Sequence, residues 1–194
     1  MTRPLGVILA GGQARRMGGG DKGRLMLGGQ SLVQHVIARL APQCDGLALN
    51  ANGDPERFAD LGLPVIADSV AGHAGPLAGV LAGLDWAAGQ GAETIVTAAA
   101  DTPYFPGDLV SRLVKAAPGG LALAKDADGN RHPTFGLWPV ALRDDLRAAL
   151  TAGLRKIVIW TDAQGAAEAV FPDAAAFFNI NTPDDLAEAE ARLL

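Results

Sequence analysis

The sequence has little cysteine, no long apolar run and no excess of positive charge. Cys44 is the only cysteine among 194 residues, which excludes an internal disulfide and predicts a small buried side chain in a reducing compartment. No apolar stretch is long enough to span a bilayer, and the short run near the N-terminus predicts no signal peptide. The net charge of −5 disfavours a general nucleic-acid binder. We therefore expect a cytoplasmic protein that binds neither nucleic acid nor membrane.

The two commonest phosphate-binding motifs are also missing. A P-loop has Gly-Lys followed directly by Ser or Thr, whereas Lys22 follows Asp21 and precedes Gly23. The dinucleotide pattern needs a third glycine where this chain has Arg15. These absences exclude a P-loop and a dinucleotide fingerprint, but they leave other anion sites open.

A glycine-rich loop is the strongest signal that is present. Residues 6–22 read GVILAGGQARRMGGGDK, so an apolar strand stops at paired glycines and a basic loop follows. Glycines let the backbone approach an anion, and Arg15, Arg16 and Lys22 supply fixed positive charge. A surface turn is the alternative, which the strand context and paired arginines disfavour. The loop therefore predicts a polyphosphate site.

Apolar runs typical of strands alternate with helical patterns along the whole chain. This alternation predicts an α/β fold, a single open, mostly parallel twisted sheet with helices on both faces. No linker or internal repeat divides the chain, so we expect residues 1–194 to form one domain. The predicted strands are 5–10, 46–50, 64–67, 93–99, 120–124, 134–138, 157–160 and 167–171. The predicted helices are 32–40, 76–90, 105–117, 140–152 and 183–194.

Polar side chains follow several predicted strands. Asn50, Asp68 and Asp101 each stand at a strand end, as the glycine loop does, and in such sheets ligands bind beyond the carboxyl ends of the strands. Asp101 is equally well read as a Mg²⁺ ligand or as a turn or capping residue. Capping is the better reading of Asp68 from spacing alone, and Asn50 is a common turn former.

Later in the chain, Asn179 and Asn181 alternate along a predicted strand and so face one side of it. One of them could cap the last helix, but capping does not explain both. Arg155 and Lys156 precede another predicted strand, where a solvated charge pair is the simplest interpretation.

Five motifs together resemble those of the molybdenum cofactor guanylyltransferases, in the same order. They are LAGGQARRMGGGDK at 9–22, GPLAG at 75–79, ADTP at 100–103, HPT at 132–134 and NINTP at 179–183. The resemblance implies a Rossmann-like nucleotidyltransferase fold. It also implies Mg²⁺-dependent transfer of GMP from GTP to the terminal phosphate of molybdopterin, with release of pyrophosphate. Proteins that deliver or receive the cofactor are further implied partners.

The resemblance also implies roles for individual residues. The implied catalytic residues are Arg16, Lys22 and Asp101, with Asp101 as the metal ligand. The implied nucleotide contacts, partly through backbone N–H groups, are Leu9, Ala10, Gly11, Gly12, Lys22, Asn50, Asp68 and Asp101. The implied molybdopterin contacts are Gly79, Arg155, Lys156, Asn179 and Asn181.

Two alternatives to the guanylyltransferase reading remain. A cytidylyl- or other nucleotidyltransferase acting on a phosphorylated acceptor is one, although that branch tends to have LAAG where this chain has LAGG. A non-catalytic GTP-binding module is the other, which Lys22 and Asp101 disfavour. We further expect Lys22 to be an exposed loop side chain with little effect on stability. Finally, we expect Asn181 to serve the acceptor without affecting GTP binding.

Overall fold

A computed structural model describes residues 3–11, 20–70 and 75–193. The strands within these ranges are β1 Leu5–Leu9, β2 Met26–Leu27, β3 Gln30–Ser31, β4 Leu47–Asn50, β5 Val65–Ile66, β6 Thr94–Ala99, β7 Ala122–Asp126, β8 Arg131–Pro139 and β9 Ala167–Phe171. Seven of them form one sheet in the order β5-β4-β1-β6-β8-β7-β9, and β2 and β3 form a separate hairpin. In the seven-stranded sheet only β8 runs against its neighbours, because the β6–β8 and β7–β8 pairs are antiparallel and the other pairs are parallel.

The described ranges contain six α-helices, of which the first five pack on the sheet. Ser31 begins the first of them, since the Gln34 side chain accepts a 2.8 Å bond from its N–H, as in a capping box. Pro76 occupies the first turn of the second helix, where its missing N–H costs nothing. The helices are α1 Leu32–Leu40, α2 Pro76–Gly89, α3 Leu109–Ala116, α4 Arg143–Thr151, α5 Ile157–Ala163 and α6 Pro183–Ala191.

Two apolar clusters lie on opposite faces of the sheet, as an α/β fold with helices on both faces requires. One joins the sheet to α1 and α3 and includes Ile8, Val36 and Leu113. The other joins it to α2, α4 and α5 and includes Val7 and Trp160. Adjacent residues of β1, Val7 and Ile8, therefore point into different cores, which is the alternation that a strand buried on both sides demands.

A smaller apolar cluster lies at one end of the sheet. Leu27 and Leu32, from the β2–β3 hairpin and the start of α1, pack with Ile180 and with Ala189 of α6. All four side chains are completely buried. The cluster fixes the segment that precedes α6 against the segment that follows the glycine-rich loop.

The predicted strand at 157–160 is wrong, because these residues form the first turns of α5. A strand would bury Ile157 and Ile159 on one face. Instead Ile157 and Trp160 are buried and Ile159 is 54% exposed, which is helical spacing. The indole N–H of Trp160 also donates a 2.9 Å bond to Asp145 and ties α5 to α4.

Two further features of the structure bear on the sequence-based expectations. Cys44 is buried, as predicted, and burial raises the pKa of its thiol to about 12. No helix within the described ranges combines the length and the apolar character needed to cross a membrane.

Candidate active site

The centre of the candidate site is the ammonium group of Lys22. Its Nζ donates to Asp101 Oδ2 at 2.5 Å, to Asn179 Oδ1 at 3.2 Å and to Asn181 Oδ1. Only 11% of the Lys22 side chain and 19% of the Asp101 side chain are exposed. The expectation of an exposed loop lysine is therefore wrong. Residues from three separate motifs meet on one cation at the carboxyl end of β6.

The segment that carries the two asparagines is held in place by its backbone. Ile180 N–H donates a 2.9 Å bond to the carbonyl of Asp101, and the Ile180 side chain is buried. Asn181 N–H donates a 2.8 Å bond to Asp185, and this bond lowers the pKa of the Asp185 carboxyl. The segment belongs to no strand, so the predicted strand there is wrong. The prediction that both asparagine side chains face one side is confirmed, since both reach Lys22.

A second polar cluster lies at the ends of β4 and β5. Asp68 accepts bonds from the Asn50 amide at 3.0 Å and from the Asn52 amide at 2.8 Å, one on each carboxylate oxygen. The Asp68 N–H donates back to Asn52 Oδ1 at 2.8 Å. Asn50 is buried, Asp68 is half-buried and Asn52 is exposed. The sequence predictions named Asn50 and Asp68 but missed Asn52.

Gly79 lies in α2 directly beneath this second cluster. A Cβ atom at Gly79 would come within 2.2 Å of Asn50 Oδ1 and 2.9 Å of Leu9 Cδ2. Gly79 is itself buried. The structure therefore gives Gly79 a packing role, which is to leave room for the buried amide of Asn50.

The residues at the carboxyl end of β1 differ in whether their backbone groups are used inside the sheet. Ala10 N–H donates a 2.9 Å bond to the carbonyl of Asn50, and the carbonyl of Leu9 accepts a 3.1 Å bond from Ala100. The Ala10 N–H is therefore used inside the sheet, contrary to the expectation that it lines the nucleotide. Among the described residues, no atom lies within 4 Å of a Cβ atom built at Gly11. Gly12 and Arg16, also predicted here, lie outside the described residues.

Arg155 and Lys156 are exposed in the connection between α4 and α5. Arg155 Nη1 donates to the carbonyl of Leu154 at 2.9 Å and to that of Leu150 at 3.3 Å, which closes the last turn of α4. Lys156 precedes the first residue of α5. Within the described part of the chain, neither basic side chain has a hydrogen bond to the Lys22 cluster.

Arg57 connects the two polar clusters, and the sequence predictions missed it. Its guanidinium donates to both carboxylate oxygens of Asp21 at 2.7 Å and to the carbonyl of Asn52. Asp21 directly precedes Lys22, and Asn52 bonds to Asp68.

Arg57 lies in a 3-10 helix, Pro55–Leu61, that no periodic pattern marked. An arginine in a short polar segment carries no motif, so only the three-dimensional contacts reveal it.

Comparison with known proteins identifies the family of this chain. Residues 6–166 match the MobA-like NTP transferase domain family. The chain belongs to this family. It is 55% identical to a "Molybdenum cofactor guanylyltransferase" of Cereibacter sphaeroides, over 98% of this chain and 97% of the relative. Identity to the protein of the same name from Mesorhizobium japonicum is 53%, over 97% and 95%.

A solved structure gives the same fold. It is that of molybdopterin-guanine dinucleotide biosynthesis protein A from Archaeoglobus fulgidus, with a TM-score of 0.75 and 25% identity over 97% of this chain and 98% of that one. Membership of the family makes this protein a nucleotidyltransferase of molybdenum cofactor biosynthesis with a Rossmann-like α/β fold. The expectations about family, fold class and enzyme class are confirmed.

Proposed function

We propose that this protein transfers GMP from GTP to the terminal phosphate of molybdopterin and releases pyrophosphate. The observation that carries the proposal is the meeting of Asp101, Asn179 and Asn181 on the Lys22 ammonium. This arrangement occurs in a chain that is 55% identical to a relative named for that activity. We further propose that residues 1–194 act as one domain and that the reaction takes place in the cytoplasm.

The reaction needs no nucleophilic side chain. An oxygen of the acceptor phosphate attacks the α-phosphorus of GTP and forms the new P–O bond. The bond from the α-phosphorus to the oxygen that bridges to the β-phosphate breaks, and its electron pair leaves with pyrophosphate. Because the attacking oxygen is already an anion, no proton has to be removed from it. The protein's task is then to position two anionic substrates and to neutralise their charge.

Lys22 is well placed to neutralise charge on the triphosphate. An ammonium group has three N–H donors, and Asp101, Asn179 and Asn181 match all three in the structure. Phosphate oxygens replace one or more of these acceptors when nucleotide binds. The remaining bonds keep the ammonium at the carboxyl end of β6, so it does not have to reorient when nucleotide binds. Arg16 is proposed to share this role.

Asp101 has the chemistry to hold Mg²⁺. Among described residues, its Oδ1 accepts only a 3.3 Å bond from Thr102 Oγ1, which leaves lone pairs available. The described ranges contain no group of three or more His, Cys, Asp or Glu side chains able to hold a metal. This donor set fits an ion held by one carboxylate together with substrate phosphates, as Mg²⁺ prefers. When bound there, Mg²⁺ would organise the phosphates and stabilise the charge that develops on them.

The remaining proposed contacts divide between the two substrates. Gly11, Gly12, Asn50 and Asp68 are assigned to the nucleotide side. Leu9 and Ala10 support that side through backbone bonds instead of direct contact. Gly79, which the family resemblance implies as a molybdopterin contact, is instead assigned to packing beneath Asn50. Asn179, Asn181, Arg155 and Lys156 are assigned to molybdopterin. Asn181 serves both substrates in this proposal, because it also bonds to Lys22.

The test is pyrophosphate release with each of the four nucleoside triphosphates, with and without molybdopterin and Mg²⁺. We expect release with GTP that requires both molybdopterin and the metal. Asp101→Asn keeps the shape of the side chain but removes its charge, and we expect it to lower kcat by about a thousandfold. A preference for CTP would show that the protein transfers CMP and not GMP. Release that is the same with and without molybdopterin, or no release with any triphosphate, would overturn the proposal.

A further inference from the structure

The Arg57 guanidinium makes an unusual number of bonds for an exposed surface arginine. Nη1 donates to both oxygens of Asp21 at 2.7 Å, Nη2 donates to the carbonyl of Asn52, and Nε donates to the carbonyl of Asp54 at 3.0 Å. The guanidinium carbon also lies 5.3 Å from the centre of the Phe58 ring. A planar fork held at every nitrogen has one orientation, so Arg57 acts as a rigid connector.

The two ends of this connector belong to the two halves of the candidate site. Asp21 is the residue before Lys22, whose ammonium meets Asp101 at 2.5 Å. Asn52 makes a reciprocal pair of 2.8 Å bonds with Asp68, on the proposed nucleotide side. In the described residues, Arg57 is the one side chain that bonds to both Asp21 and Asn52.

The charge of Asp21 makes the connector necessary. A carboxylate one residue from Lys22 lies next to the place proposed for a polyanionic triphosphate, and an unpaired negative charge there would repel it. The Asp21 side chain is 20% exposed, so water screens it only in part. Arg57 neutralises this charge and at the same time fixes the backbone that carries Lys22.

We propose that Arg57 is a positioning residue for nucleotide binding. It cancels the charge of Asp21 and holds the Lys22 and Asp68 halves of the site at one spacing. This inference rests on the proposed function, because it takes the ligand to be a nucleoside triphosphate. It adds a residue that belongs to none of the motifs on which the family resemblance depends.

The chain offers a matched control in Arg24. Its guanidinium also pairs with an aspartate, Asp60, and lies 4.9 Å from the centre of the same Phe58 ring. Arg24 reaches the backbone carbonyl of Arg57, but it bonds to neither Asp21 nor Asn52. Loss of Arg24 therefore removes a similar set of surface contacts but leaves the Arg57–Asp21 ion pair in place.

The experiment is calorimetric titration of Mg²⁺ with each of the four nucleoside triphosphates, first into wild type and then into the variants. For the triphosphate that binds wild type most tightly, we expect Arg57→Met to raise Kd by about tenfold. Arg24→Met should change it by less than about twofold. The double variant Arg57→Met/Asp21→Asn should recover part of the loss, because it has no unpaired carboxylate but still lacks the bond to Asn52.

Different outcomes count against different statements. Equal losses for Arg57→Met and Arg24→Met would reduce Arg57 to a structural surface contact. No recovery in the double variant would contradict the statement that Arg57 acts by cancelling the charge of Asp21. Tightest binding of a triphosphate other than GTP would contradict the proposed substrate, while the Arg57 comparison would still be read on that triphosphate. No binding of any triphosphate to wild type would overturn both. If Arg57→Met does not fold, Arg57→Lys serves instead and should lose less affinity, because it keeps the charge but not the fork.

Discussion

The ammonium of Lys22 lies 2.5 Å from the carboxylate of Asp101, although 79 positions separate the two residues in the chain. The pair joins the exit of the glycine-rich loop to the end of β6, and both side chains are largely buried. A buried charge that loses its partner is costly. Lys22 therefore contributes to the stability of the fold as well as to the proposed chemistry.

Lys22→Met should lower both activity and stability. Loss of the ammonium leaves Asp101 without its ion-pair partner, and we expect the free energy of unfolding to fall by about 1–3 kcal/mol. Thermal unfolding followed by circular dichroism would show this as a melting temperature several degrees lower. The double variant Lys22→Met/Asp101→Asn should recover most of the stability and none of the activity. If Lys22→Met has the same melting temperature as wild type, the ion pair makes no net contribution to the free energy of unfolding.

Asn181→Ala should weaken the binding of both substrates. The Asn181 amide oxygen accepts from Lys22 Nζ, so its loss removes one of the three bonds that orient the ammonium as well as a proposed molybdopterin contact. Backbone bonds from Asn181 to Asp185 and from Ile180 to Asp101 do not depend on the side chain, so the segment should stay in place. Separate titrations with GTP and molybdopterin measure the effect. Unchanged GTP affinity would mean that Asn181 serves the acceptor alone.

Gly79→Ala should displace Asn50 and so weaken the nucleotide side of the site. The added methyl group would meet Asn50 Oδ1 at 2.2 Å, so Asn50 must move and release Asp68. Overpacking of this kind costs about 1–3 kcal/mol. We expect lower stability and weaker GTP binding, measured by urea unfolding and calorimetry.

The control for that substitution is Gly89→Ala at the end of the same helix. No atom of the described residues lies within 4 Å of a Cβ atom there, so alanine should be neutral or should stabilise the helix by up to about 1 kcal/mol. If Gly79→Ala has the same stability and GTP affinity as Gly89→Ala, a methyl group at position 79 does not displace Asn50.

The buried carboxylate of Asp126 should make stability depend on pH in the acid range. Burial raises the pKa of Asp126, but bonds from Asn130 and His132 outweigh it and lower the pKa from 3.8 to about 2. Because the folded pKa is the lower one, the stabilisation is complete above pH 3.8 and is lost as the pH falls toward about 2.

Urea unfolding of wild type and Asp126→Asn across this pH range tests that direction. Wild type should be the more stable protein at pH 6, and the difference should shrink steadily below about pH 4. A difference that stays constant down to about pH 2 would show that ionisation of Asp126 does not contribute.

Much of the fold could be predicted because local pattern and tertiary structure agree. The apolar run of β1 and the Ser31 and Pro76 helix starts need no distant contact to be recognised. α5 was missed because four apolar residues do not distinguish a strand from a buried helix face, and only packing decides. The β2–β3 hairpin was missed because its strands have two residues each.

The candidate site was predictable only where motifs carried it. Asp101, Asn179 and Lys22 were identified from their motifs, but not that they bond to one another. These contacts join residues that are far apart in the sequence, so no local pattern predicts them. The burial of Lys22 follows from the same contacts. Asn52 and Arg57 had no motif at all, and their importance lies entirely in which groups they join.

The most direct measurement of the central claim follows the phosphorus atoms of GTP. Purified protein is incubated with Mg²⁺, molybdopterin and GTP labelled with ³²P at either the α- or the γ-position, and the products are separated by chromatography. We predict that the α-label enters the pterin product, which also contains guanine, and that the γ-label appears only in pyrophosphate. Appearance of the γ-label on the pterin, or no α-label in it, would contradict GMP transfer by this protein.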